Sequence, residues 1–219
     1  MKKTVLISLL FAALTLSACG SKAVDQAALD AASQTATVIQ EFPETPAPAA
    51  APALQDGERF ESVILLEGME ETVRYEHAVN ESLGFEIDYE YESLQRQSGA
   101  ESERFISLWD SAEQPENYLE LRRDALDAEQ AAAAINEALS ETYKTGMEAF
   151  SLERAGSCIR IVAHEEKGGG VMAPQLQEVF VIPAREGCLV ATSHCSIEAA
   201  EGFGRRFGYM LQTLSLAAN

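Results

Sequence analysis

An α+β fold, with a mostly antiparallel sheet packed by a mid-chain helix and a C-terminal helix, is predicted by three observations. Several segments alternate apolar and polar residues with the period of two of a half-buried strand, most cleanly Phe85-Glu86-Ile87-Asp88-Tyr89-Glu90-Tyr91-Glu92. Gly168-Gly169-Gly170 and Arg185-Glu186-Gly187 read as hairpin connections between three successive strands, which makes that part of the sheet antiparallel. Two stretches, beginning near Asp127 and Ile197, instead repeat apolar residues at helical spacing. Strands, a helix, further strands and a final helix describe helices laid on a sheet.

The chain opens with a segment outside that fold. Met1 to Ala18 carries Lys2 and Lys3, an apolar run from Val5 to Leu16 and a small-residue end, the architecture of an export signal. It is shorter than the ~20 apolar residues of a spanning helix. Leu16-Ser17-Ala18-Cys19 resembles the lipobox of bacterial lipoproteins. The resemblance implies cleavage after Ala18, a diacylglycerol anchor on Cys19, and attachment by acyl chains to the exported side of the cell membrane or the outer membrane. Residues 19–57 then form the anchor and an Ala/Pro-rich tether: Pro43-Glu44-Thr45-Pro46-Ala47-Pro48 favours extended polyproline-II conformers, and too few large apolar residues are present to dock the segment. Residues 58–219 have the length of one α+β domain.

Within that domain strands are predicted at Phe60–Leu66, Thr72–Val79 and Phe85–Glu92, then at Arg104–Trp109 and Tyr118–Arg122. Asp127 with Gln130 three residues on resembles a capping box, and Ala131, Ile135, Ala138, Leu139 and Thr142 form one face of a helix reaching about Tyr143. Strands follow at Glu148–Leu152, Cys158–His164, Leu176–Ile182 and Cys188–His194. The last helix runs from about Ile197 to Leu214, with Phe203, Phe207, Met210, Leu211 and Leu214 on one side. Its Gly202, Gly204 and Gly208 each cost ~1 kcal/mol relative to alanine, a cost that close packing on a sheet offsets.

The Leu83-Gly84-Phe85-Glu86-Ile87-Asp88-Tyr89 strand, the mid-chain helix, the long hairpins and the ending Tyr209-Met210-Leu211-Gln212-Thr213-Leu214 together resemble PsbP-like domains over residues 75–215. Ala155-Gly156-Ser157-Cys158-Ile159-Arg160-Ile161 and Ala200-Glu201-Gly202-Phe203-Gly204-Arg205-Arg206 also resemble stretches of lipoproteins from anaerobic Gram-positive bacteria. The PsbP-like resemblance implies a sandwich fold and accessory or binding work at a membrane surface. It supplies no catalytic residue.

Charge excludes one partner class. The formal charge is −19, and removing Lys2 and Lys3 with the signal takes it to −21, which repels nucleic acid and anionic head groups alike. Cys158, Cys188 and Cys195 remain once Cys19 is set aside, so at most one disulfide can form. Strand parity sets Cys158 with Arg160 and Val162, opposite a core-facing Ile159 and Ile161. Cys158 and Cys188 fall two strands apart, roughly 9.6 Å, beyond the ~7 Å reach of a disulfide.

A zinc site would draw on Cys158, His164, His194 and Cys195, yet neither CxxC nor HExxH spacing accompanies them, so no metal site is assigned. His77 alternates with Tyr75 and Val79 and reads as structural. No G-x-S-x-G elbow is present, Ser193 and His194 point to opposite faces of their strand, and Lys167 precedes rather than follows the glycine run, unlike a P-loop. Glu86, Asp88, Glu90 and Glu92 are the only candidates for binding a cation. Their predicted setting is a solvated outer face relieved by Arg74, Arg104 and Arg122, because a straight strand spreads carboxylates that calcium needs to converge.

The expected function is therefore a lipid-anchored extracytoplasmic binding or accessory module without catalysis or cofactor of its own. Its partners are the membrane, reached through the lipid, and a protein or small ligand that the sequence does not specify. A cell-envelope enzyme whose site leaves no local motif is the alternative.

Overall fold

The computed structural model describes residues 54–66, 68–111, 113–165 and 174–217. The export signal, Cys19, the tether as far as residue 53 and Gly168-Gly169-Gly170 lie outside the described residues. In chain order the elements are β1 (Arg59–Leu66), β2 (Met69–Asn80), β3 (Phe85–Glu90), β4 (Leu94–Ser98), β5 (Ser102–Ser107), β6 (Tyr118–Asp124) and α1 (Ala128–Ser140). They continue as β7 (Lys144–Leu152), β8 (Gly156–His164), β9 (Gln175–Pro183), β10 (Cys188–Ser196), α2 (Arg205–Thr213) and β11 (Ser215–Leu216). A 3-10 turn at Ile197–Ala199 and a π turn at Ala200–Gly204 lead into α2.

Two antiparallel sheets result, one ordered β1-β2-β3-β11 and the other β4-β5-β6-β10-β9-β8-β7. The α+β class and the mostly antiparallel pairing follow the sequence pattern. Between β9 and β10 the chain reverses at Gly187, whose φ of +69° suits glycine and where a Cβ would stand 2.0 Å from the Asp124 carbonyl oxygen.

Phe85, Ile87 and Tyr89 of β3 pack in one core with Phe105, Leu119 and Leu121 of the larger sheet, and the Tyr89 and Phe105 rings lie 4.9 Å apart. Phe207, Met210 and Leu211 of α2 enter the same core. A second core forms where Ala128, Ala131 and Ala132 of α1 meet Ile161, Val179 and Val190. Asp127 caps α1 as expected, its side chain accepting from the Gln130 N–H at 2.9 Å.

Three expectations need correction. Cys158 is not turned away from the core: the larger sheet is covered on both faces, so Cys158 packs with the α2 side and Ile161 with α1. The long C-terminal helix is α-helical only from Arg205, because Gly202 and Gly204 give the preceding turn little helical preference and it winds as π. The domain also starts before residue 58. Asp56 accepts from the Val79 N–H at 2.8 Å and from Arg96 Nη1 at 2.7 Å, and the Gly57 N–H donates to the His77 carbonyl.

Cys158, Cys188 and Cys195 are all buried free thiols. Burial pushes each of them up, Cys195 to about 11 with help from Glu178. Because the thiolate is the nucleophile, alkylation at about pH 8 should spare all three in the native state and proceed at each after unfolding. Peptide mass spectrometry with and without denaturant reads this directly; a native rate equal to the unfolded one at any of the three would contradict it.

Candidate functional site

The register of β2 against β3 opposes Tyr75 to Glu90, His77 to Asp88 and Val79 to Glu86. These side chains therefore share one face of the smaller sheet, opposite to Phe85, Ile87 and Tyr89. On α2, Arg206, Tyr209 and Thr213 stand three and four residues apart and form a stripe distinct from the core-facing Phe207, Met210, Leu211 and Leu214. That stripe meets the sheet face. Arg206 bonds Glu71 at 2.9 Å and pairs with Glu90, the Tyr209 hydroxyl donates to the Leu65 carbonyl at 2.8 Å, and Thr213 Oγ1 accepts from the Asp88 N–H at 2.9 Å.

A groove of about 390 Å³ remains between the two. Phe60, Tyr75 and Tyr209 are its aromatic walls, and Asp88, Thr213 and Ser62 are among its polar lining. Phe60 and Tyr75 stack at 5.8 Å with 26° between their planes. Asp88 is only 3% exposed, and its Oδ1 lies 2.6 Å from His77 Nδ1, itself buried. Among the described residues His77 Nε2 has no hydrogen-bond partner; Glu86 Oε2 is 3.6 Å away. Burial first, and then the charge of Glu90, pushes the Tyr75 phenol up to about 12, so it is a neutral donor at neutral pH. Burial pulls the Arg206 guanidinium down, and Glu71 and Glu90 more than offset it, so the group is held charged.

The four carboxylates of the acidic segment are thus not a solvated row. Asp88 and Glu90 are buried, because α2 covers the face that the alternation assigns to water. Glu90 accepts from Ser93 and Arg206, Glu86 from Ser215 at 2.7 Å, and Glu92, beyond the end of β3, from Arg74 at 2.9 Å. Of the three arginines expected to relieve them, only Arg74 does so; Arg104 pairs with Glu120 and Arg122 with Asp124. The four therefore do not converge on one point.

Elsewhere, His194 Nδ1 is 2.9 Å from the Glu116 carbonyl and its ring stacks on Tyr118 at 5.0 Å. Among the described residues no three His, Cys, Asp or Glu side chains are placed to share a metal ion. Two larger depressions, about 550 and 520 Å³, share Ser82 and Arg123. Both mix arginines with carboxylates and have no aromatic wall, and Arg123 is tied through Nε to the Leu83 carbonyl at 2.6 Å.

Chemically the groove can hold a small body against three rings and meet it with one buried carboxylate. The hydroxyl beside Asp88 is engaged, since Thr213 Oγ1 donates to the Met210 carbonyl at 2.7 Å while accepting from Asp88. Sequence reasoning missed the groove because its walls come from β1, β2 and α2, far apart in the chain. The polar stripe Arg206, Tyr209, Thr213 on an otherwise core-facing helix was the available signal.

No protein-family model matches the chain. No curated protein matches it either. Among solved structures, it is similar to cyanobacterial PsbP (CyanoP) from Synechocystis at 12% identity and a TM-score of 0.45, over 65% of this chain and 92% of that one. It is also similar to the Saccharomyces cerevisiae Ran-binding protein Mog1p, at 10% identity and 0.45 over 66% and 96%. LpqN of Mycobacterium tuberculosis, involved in cell envelope biogenesis, is similar at 8% identity and 0.35 over 75% and 87%.

Proposed function

We propose that the chain is a lipid-anchored extracytoplasmic binding module that takes a small ligand in the groove beneath α2 and has no catalysis of its own. The observation that carries the proposal is the groove itself: about 390 Å³, three aromatic walls and a buried carboxylate. That volume lies within the roughly 300–1,000 Å³ of small-molecule sites, and the lining sets Phe60, Val63, Ile64, Tyr75 and Tyr209 beside the polar Ser62, Asp88, Gln212 and Thr213. Attachment rests on Leu16-Ser17-Ala18-Cys19, since a chain this acidic gains nothing from an anionic surface and two or three acyl chains hold a protein durably. The domain's PsbP-like character, read from the strand and helix order, fits the same accessory role.

A fragment panel followed by thermal shift tests it on wild type and on Ser62→Trp, which fills the groove. Wild type should be stabilised by a subset of fragments, and Ser62→Trp should lose those shifts while melting as a folded protein. Shifts that persist in the variant, or no stabilising fragment at all, would contradict the reading. Fractionation of expressing bacterial cells tests the anchor: Cys19→Ala should stay unprocessed or become soluble, and retention in the membrane fraction at the normal mature mass would contradict it.

A further inference from the structure

Taking the groove as the binding site, we infer that its ligand is an organic cation, an ammonium group carried on a small apolar body. Charge on the sheet face beneath α2 is the first argument. Among the described residues, Glu71, Glu86, Asp88 and Glu90 form ion pairs there with Arg206 and His77 alone, so carboxylates outnumber cations whether the imidazole is neutral or protonated. Arg206 is already shared between Glu71 and Glu90, which among the described residues leaves the Asp88 carboxylate with His77 as its charged partner. A buried carboxylate without a full countercharge carries a desolvation cost that a bound cation relieves.

Wall chemistry is the second argument. Phe60, Tyr75 and Tyr209 line the same groove as Asp88, and the negative face of an aromatic ring attracts a cation that has shed part of its water. A bare divalent ion is a poor fit, because calcium needs 6 to 8 oxygens and ring carbons supply none. At the rim Glu153 and Arg154, both exposed, oppose each other in sign. Anions are disfavoured by Asp88 locally and by the −19 charge of the whole chain, which also raises the local concentration of cations.

Phenethylamine, phenethyl alcohol and 3-phenylpropionate are the probes, titrated calorimetrically into the full-length protein at low salt and neutral pH. They share a ring and differ in charge. A charge-assisted hydrogen bond predicts that the amine binds about tenfold tighter than the alcohol, with the carboxylate weakest. Asp88→Asn, an isostere able to keep a bond to His77, should bring amine and alcohol within about threefold. Phe60→Leu should weaken the amine more than the alcohol, and it leaves the His77–Asp88 pair untouched should Asp88→Asn fold poorly. Equal binding of amine and alcohol, blocked by Ser62→Trp, would overturn the cation and keep the groove. An amine preference that survives Ser62→Trp would overturn both. Failure of all three probes to bind would overturn the cation, and the fragment panel then judges the groove by itself.

Discussion

Glu103→Ala is expected to cost about 3–5 kcal/mol of stability, the loss typical of stripping one partner from a buried ion pair. Glu103, in β5, is fully buried. Its Oε2 accepts from Asn80 Nδ2, and its Oε1 accepts from Arg96 and from Ser98 Oγ at 3.3 Å. Arg96 in turn bonds Asp56 at 2.7 Å and the Val79 carbonyl at 2.9 Å, so one carboxylate ties the start of the domain, β2 and both sheets together. Alanine takes one of the guanidinium's three acceptors, leaving Asp56 and the Val79 carbonyl, and strips the buried Asn80 amide of its carboxylate. Glu103→Gln keeps an acceptor and the side-chain volume and should lose less. The double change Glu103→Leu with Arg96→Met should recover part of the loss, since an apolar pair avoids the uncompensated charge. Denaturant unfolding of the four proteins measures it. A loss under about 1 kcal/mol for alanine, the value of a solvated pair, would contradict the burial described.

Phe207→Ala should have a comparable effect, about 3–5 kcal/mol, from lost transfer energy plus the cavity left behind. Phe207 is fully buried, and its ring stacks on Phe203 at 5.8 Å. Met210, Leu211 and Leu214 share the core that it occupies. The consequence reaches the groove: Arg206, Tyr209 and Thr213 are held against the sheet only while that apolar side stays seated. Loosened packing of α2 is therefore expected to weaken small-ligand binding beyond any loss of folded fraction. A Phe207→Leu variant, closer in volume, should lose less of both, read as melting temperature and as affinity for the same fragment.

Alternation made β3 legible because its inward residues Phe85, Ile87 and Tyr89 do enter the core. The opposite face is not legible for a physical reason: a period of two distinguishes two faces but does not say which one water reaches, and α2 covers the acidic one. The cap at Asp127 and the turn at Gly187 are local devices and were visible as such. β4 and β11 were not visible, the first a short edge strand with only Leu94 buried and the second two residues long. Pairing across the sheets sets both, which no window of sequence reports. The same limit hid the groove, whose Phe60 and Tyr209 lie in the first strand and the last helix.

A crystal structure of the protein with its strongest fragment from the thermal-shift panel would locate the binding site outright. That fragment is expected between β1–β3 and α2, against Tyr75 and Tyr209 and within hydrogen-bonding reach of Asp88. Density for it in the depression at Ser82 and Arg123, with the groove beneath α2 empty, would contradict a binding site in that groove.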